Sequence, residues 1–330
     1  MAEYLTNTAD LTAVADAIRA KGGTSAQLIY PSGFVSAIQA IQTGIKPKLV
    51  VTTTPGAAIT ATPAEGFKVV KGTAGTDGMC TLELPKAGTW HVTAMANSVS
   101  NSQHIVIGTQ SMLLPLYHDT FADNTWEEII TVCRNGITPD SWAVGDSKTM
   151  NIGGTVYQVD IIGKNHDEYA DGSGTAPLTF QLHDCYSEAK QMYYTNLSGL
   201  GWKNTDMRMT YLPAILALMP AEVKNGIHAV NKKTSEGGNS TTIEIVSDTL
   251  FLLSEVEIFG TASSSVAGEG SQYDYYKAGN TKIKKREGVD EFWWERSSAS
   301  GGMFCRVRAN GQAGASNASS SLGVSFAFCF

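Results

Sequence analysis

Few residues in this chain have the type and spacing to do chemistry. His166-Asp167 and His183-Asp184-Cys185 are its tight groups of acid–base or metal-ligating side chains. Neither has the i, i+4 spacing or the third ligand that a catalytic metal centre needs, so both are read as polar-core hydrogen bonding. No G-x-S-x-G, P-loop or H-E-x-x-H sequence occurs. The five cysteines, Cys80, Cys133, Cys185, Cys305 and Cys329, are odd in number and contain no C-x-x-C pair. That pattern indicates neither zinc nor a disulfide framework. The expectation is no metal, no cofactor and no catalytic turnover. Binding chemistry is better represented. Arg306 and Arg308 alternate with Cys305 and Val307, which puts them with Phe304 on one strand face. Paired guanidiniums can grip carboxylates or phosphates bidentately and stack on planar groups. Ordinary surface ion pairs are the alternative reading.

The elements that must hold these arginines lie in the run WWERSSASGGMFCRVRANGQAGASNASSSLGVSFAFCF, from Trp293 to the end. Trp293, Trp294, Phe304, Val307, Val324, Phe326 and Phe328 read as a packed frame. Between them lie Ser298, Ala299, Ser300, Gly301, Gly302, Arg306, Arg308, Ala309, Gln312, Gly314, Ala315, Ser316, Asn317, Ser319, Ser321 and Leu322, which offer a core very little. Asn310-Gly311 supplies a tight turn. A stretch this bland would ordinarily be linker, but the alternating Val324, Phe326, Phe328 and Phe330 predict a buried strand that ties the C-terminus down. Residues 297–322 are therefore expected to form a solvent-facing surface on an ordered fold, with Ser, Gly and Asn as an adaptable hydrogen-bonding set.

Upstream, periodicity changes twice. Thr8 caps a predicted helix with Leu11, Val14, Ala15 and Ile18 on one face, and Pro31-Ser32 opens a second carrying Phe34, Ile38 and Ile41 and stopped by Gly44. Both are too short to stand alone, so residues 1–46 are expected to attach to something. Residues 47–113 read as short strands at 48–52, 58–62, 67–70, 80–84, 89–94 and 104–107, the spacing of a small antiparallel sandwich. In 114–330, a helix follows Asn124, Gly153-Gly154 marks a hairpin, Met207 to Met219 predicts one apolar helix, and Thr249 to Leu253 predicts a buried strand. The fold class expected is α+β.

At 330 residues, 42% hydrophobic, the chain has room for two or three domains. Its formal charge of −7 argues against a nucleic-acid partner; Lys282-Ile283-Lys284-Lys285-Arg286 reads as a solvated loop or strand edge. No apolar run of about 18 residues predicts membrane insertion, and MAEYLTNTADLT lacks the pattern of a signal peptide.

The frame WW-x-RS, F-C-x-V, x-G and GV-x-F-x-FC resembles the variable region, here 293–330, of proteins diversified by diversity-generating retroelements. That resemblance implies a C-type-lectin (formylglycine-generating-enzyme-like) fold in 114–330 and adenine-directed rewriting of the residues between. An AAC codon randomised at its adenines reaches Asn, Ser, Ala, Gly, Arg and Leu but never Gln, Met or Glu. Most of the bland positions fit, and Gln312, Met303 and Glu295 do not. The lectin signatures Glu-Pro-Asn and Trp-Asn-Asp are absent, so calcium-dependent sugar binding is not expected. PGA-x-x-TAT and LP-x-AGTW-x-V resemble immunoglobulin-like spacers related to carboxypeptidase regulatory domains. ADLTAVADAIRAKGG resembles the attachment segment of phage and prophage tail proteins. Together these imply a virion receptor-binding protein, a homotrimer carried by tail or baseplate proteins, whose partner is a bacterial surface protein or glycan. The alternatives are a non-diversified structural decoration protein and, more distantly, an enzyme of the formylglycine-generating type.

Overall fold

A computed structural model describes residues 8–22, 46–64, 68–107, 110–197, 199–238 and 240–330. The chain divides into two units, Met1–Leu116 and Tyr117–Phe330. Its class is α+β, with mostly antiparallel sheets and short helices.

In the first unit, helix α1 (Thr8–Gly22) buries Ala15 and Ile18. Val14, expected on the same face, is 47% exposed, so the covered stripe is narrower than the sequence pattern. The second predicted helix, from Pro31 to Gly44, lies outside the described residues. Strands β1 (Lys48–Thr52), β2 (Ala58–Pro63), β3 (Val70–Thr73), β4 (Met79–Glu83), β5 (Gly88–Ala96), β6 (Val99–Ile107) and β7 (Gln110–Leu113) follow. They form two sheets, β4-β1-β7 and β3-β2-β5-β6, with β1 and β7 paired in parallel. Alternation sends Leu49 and Val51 of one sheet and Trp90, Val92 and Ala94 of the other into a single core. The strand expected at 67–70 begins instead at Val70. It crosses the core at Gly72, where a Cβ would lie 2.5 Å from Cys80 Sγ, so a residue without a side chain sets its position. Leu114 and Leu116 belong to this core, which carries the unit to Leu116 rather than to 113.

The second unit opens on Asn124, whose side chain accepts from His118 N at 2.6 Å and donates to three carbonyls of 118–121. Helix α2 (Trp126–Arg134) is capped by Thr125 and Glu128, each bonding the other's backbone N–H. Strands β8 (Ser147–Ile152) and β9 (Thr155–Lys164) are joined through Gly153 and Gly154, both at positive φ, as the hairpin signal requires. With β10 (Leu178–Leu182) and the C-terminal strand they build a sheet whose Phe180 stacks on Phe121 and packs edge-on against Trp126.

Met207 to Leu218 is one continuous helical run, as predicted, but it is not α-helical throughout. A π-helical turn, Met207–Tyr211, leads into α3 (Leu212–Leu218). The wide turn precedes Pro213, which has no N–H to offer the carbonyl of Met209. Next come α4 (Ala221–Gly226) and the antiparallel pair β11 (Val230–Ser235) and β12 (Ile243–Asp248). Leu250 to Leu253 are buried as expected, but they make a single bridge, Phe251 to Ala327, and not a ladder. Helix α5 (Glu255–Phe259), capped by Ser254 and Glu257, and α6 (Asp274–Lys277) lead to the hairpin of β13 (Lys284–Arg286) and β14 (Val289–Glu291). The antiparallel sheet of β15 (Trp293–Ala299), β16 (Met303–Val307) and β17 (Ala313–Asn317) follows. Strand β18 (Ala327–Cys329) pairs with β10 in the interior. Residues 323–330 are all buried, as the alternation from Val324 to Phe330 predicts, but only Ala327–Cys329 of them form the strand, which is covered on both faces.

Candidate functional site

The frame residues Trp293, Trp294, Phe304, Val307, Val324, Phe326 and Phe328 are all fully enclosed. Both indoles are also pinned by hydrogen bonds, Trp293 Nε1 to Lys282 O at 2.9 Å and Trp294 Nε1 to Lys190 O at 2.8 Å. Beside them Arg296, 0% exposed, clamps four segments. Its Nη1 donates to Leu252 O (3.0 Å) and Glu257, and its Nη2 to Glu257 Oε1 (2.9 Å), Lys233 O (2.9 Å) and Glu269 O (2.8 Å). Glu257 also meets Lys232 at 2.7 Å, and Lys232 meets Asp167 at 2.7 Å. Under β15, the carboxylate of Glu255 is wrapped by the backbone N–H groups of Ser263, Ser264 and Ser265. Glu295 has no such wrapping: it is fully buried with neither oxygen partnered. Burial, then Glu255 and Glu269, push its pKa well above the ordinary glutamate value.

Over this base stands the hairpin from β16 to β17. Arg308 N donates to Gln312 O and Gly311 N to Arg308 O, each at 2.7 Å, and Asn310 bonds both the backbone and the side chain of Gln312. Gly311 has φ +80°, which suits the glycine at that position. The Arg306 guanidinium sits 4.3 Å from the Phe292 ring centroid and donates from Nε to Ala315 O at 3.2 Å, while its Nη1 is enclosed without a partner. Burial, then the neighbouring Arg308, lower its pKa. Phe304, expected to share the arginines' outward face, is buried, and Arg308 lies beyond the strand's last residue. That face is closed at its Phe304 end and opens only toward the hairpin.

The second half of the bland region is held by a segment the sequence reading passed over. Ala318 O accepts from Met192 N and Tyr193 N, Leu322 and Lys190 exchange backbone bonds, and Asn196 Oδ1 accepts from Ser319 N (3.0 Å) and Ser319 Oγ (2.9 Å). This segment presents Tyr194 and Leu197, both more than half exposed. The adjacent tyrosines 193 and 194 were the available signal, but pairing across more than 100 residues leaves no local periodicity to read. Phe292, the stacking platform for Arg306, was missed in the same way beside the more conspicuous tryptophans.

Of the residues expected at the surface, Ser300, Gly301, Arg308, Gln312, Asn317, Ser319 and Ser321 are exposed, and Arg306, Ala309, Ala315, Ser316 and Leu322 are half-buried. Four are not on the surface. Ser298 and Ala299 are interior to β15, where Ser298 Oγ donates to Gly238 O at 3.2 Å and Ala299 pairs with Met303. Ser297, also inside the predicted surface stretch, is fully buried and bonds Glu269. Gly302 is buried at φ +74°, with space for a Cβ taken by Asn196 O at 2.5 Å. Gly314 is buried beneath Arg308, whose Nε would lie 2.9 Å from an added Cβ. Small residues here occupy two settings, close-packed interior and exposed surface, and composition alone does not separate them.

The acid–base clusters lie in hydrogen-bonded settings. Burial alone would raise the pKa of Asp167, but Lys232 overrides it and, with Thr179, holds the carboxyl down at about 2. His166 stacks on Tyr273 with ring centroids 4.0 Å apart. His183 Nδ1 lies 2.7 Å from Asp160 Oδ2, and this bond raises its pKa. No group of three His, Cys, Asp or Glu suited to a metal occurs among the described residues. The basic run needs correcting: Lys284 is buried, donates to Leu182 O and His183 O, and burial lowers its pKa to about 8.

Residues 179–330 match the model of a domain of unknown function, DUF6273. The matched span starts in β10 and contains the arginine hairpin, the frame and, of the buried ion network, Lys232, Glu257 and Arg296 but not Asp167. No curated protein matches the chain. No helix among the described residues is long and apolar enough to cross a membrane.

Proposed function

We propose that this chain is a receptor-binding protein of a phage or prophage tail, whose second unit has a C-type-lectin fold and displays a retroelement-diversified surface toward bacterial cells. In this reading the first unit supplies a tail-attachment segment and an immunoglobulin-like spacer, and three copies assemble so that weak contacts add through multivalency. The observation that carries it is the separation of duties within residues 293–330. Every frame residue is fully buried, while Ser300, Gly301, Arg308, Gln312, Asn317, Ser319 and Ser321 stand exposed on the turns and strand end between them. A fixed scaffold under small polar and Arg side chains is the arrangement that antibody loops use for recognition.

The chemistry of the site favours binding over turnover. Cys305 and Cys329 are buried and burial pushes both thiols far up, which leaves them protonated and poorly nucleophilic. The test is to replace Arg308, Gln312, Asn317 and Ser319 together with other residues that an AAC codon can reach and to measure binding to a panel of intact bacterial strains. The expected result is a changed strain preference with an unchanged melting temperature. Unchanged binding to every strain would leave the structural-decoration reading in its place.

A further inference from the structure

Arg306 and Arg308 flank Gly314. Arg306 faces it across the β16–β17 ladder, and the Arg308 side chain lies over it. Two cations share a spot where the opposing strand carries no side chain. Neither makes an ion pair among the described residues, although the chain as a whole is acidic. By contrast Arg286, nearby in sequence, pairs with Glu291 at 2.8 Å. Arg306 is also preorganised, because its guanidinium lies over the Phe292 ring and its Nε is held by Ala315 O. Nη1 is enclosed with no acceptor, so this conformation leaves the group underbonded. Holding two like charges close without a counterion is unfavourable unless something else supplies the negative charge.

We propose that Arg306 and Arg308 form an oxyanion seat, and that the bacterial surface ligand is recognised through a carboxylate or phosphate group gripped between the two guanidiniums. The inference rests on the receptor-binding reading and names the chemistry of the ligand. Planar forks matter more than charge here: with Nε tied to Ala315 O and Nη1 enclosed, Arg306 keeps Nη2 as its donor to the seat beside the fork of Arg308, a geometry an ammonium cannot reproduce. The exposed turn residues around the seat then contribute shape and neutral hydrogen bonds.

The experiment measures full-length protein against three immobilised polymers: polygalacturonate, poly(ribitol phosphate) and neutral dextran. Binding to one or both acidic polymers and not to dextran is expected, and which of the two binds assigns carboxylate or phosphate. Arg308→Gln, at an exposed position, should weaken that binding about tenfold or more, and the Arg306→Lys/Arg308→Lys pair should weaken it comparably despite its unchanged charge. The control pair Lys224→Gln/Lys233→Gln, two exposed cations elsewhere, should leave it within about twofold, since diffuse charge contributes little to a local grip. Equal loss in the control pair, full binding by the Lys pair, or equal binding to dextran overturns the seat. Cell binding separates this from the broader reading. If strain preference follows Asn317 and Ser319 but ignores both arginines, the seat fails and display stands; if no substitution within 300–321 alters cell binding, display itself fails.

Discussion

Glu295 is the least comfortable residue in the molecule: fully buried, both oxygens unpartnered, and set against two other buried glutamates. Its raised pKa means the folded chain holds a proton that the unfolded chain releases near pH 4.3, so this contribution to stability is whole below about pH 4.3 and declines as pH rises toward the folded pKa. The decline is at most about 1.4 kcal/mol per pH unit. Glu295→Gln removes the titration and keeps the shape. Denaturant titrations at pH 5 and pH 8 should show the variant gaining on the parent as pH rises; identical pH slopes would mean that Glu295 is ionised in the fold. Its neighbour Arg296 behaves oppositely, because deleting it strands Glu257 without its bidentate partner. Arg296→Met should destabilise by about 3–5 kcal/mol, and Trp294→Ala, which empties a fully buried site, by a similar amount. Exposed Gln312→Ala should stay within about 0.5 kcal/mol. Melting curves for the three order them.

At the level of elements, the two buried glycines make opposite demands. Gly302 combines φ +74° with a backbone carbonyl 2.5 Å from any Cβ, so nothing nearby can give way. Gly314 has ordinary backbone angles and meets only the Arg308 side chain, which can swing aside. Gly302→Ala should therefore cost about 1–3 kcal/mol, and Gly314→Ala should be tolerated within about 0.5 kcal/mol while disturbing the arginine pair. Thermal denaturation of the two variants, side by side, decides it; equal losses would mean that backbone strain is not what distinguishes them. This pair also marks where sequence reading reaches its limit. The frame was legible because aromatic and β-branched residues at strand period have one economical solution, burial. The GG hairpin and the short strands of the first unit were legible for a similar local reason. The role of each small residue was not, since Ser297, Ser298 and Gly302 are placed by Glu269, Gly238 and Asn196, partners far away in sequence. Pro213 likewise gave the expected helix a π-helical first turn, and the expected strand, whose Leu252 carbonyl Arg296 claims, makes one bridge and no ladder.

For the whole molecule, the two units have separate hydrophobic cores, one closed by Leu114 and Leu116 and the other running from Phe121 to Phe330. The ion network of Asp167, Lys232, Glu257 and Arg296 lies wholly within the second, as do the arginine hairpin and the turn at Ser319. On the receptor-binding proposal, residues 117–330 expressed alone should therefore melt cooperatively and bind the same bacterial strains as the full chain, because the proposed display surface lies wholly within that unit. What they should lose is strength. If residues 1–116 serve attachment and assembly, removing them abolishes multivalent engagement, and apparent affinity for intact cells should fall by about 10²–10⁴ while affinity for a soluble monovalent ligand stays level. Cell-binding isotherms for both forms, with sedimentation to count copies, make the comparison. A second unit that does not fold alone would place part of its stability in the first. Equal avidity from a form that sediments as a monomer would show that the first unit has no part in assembly.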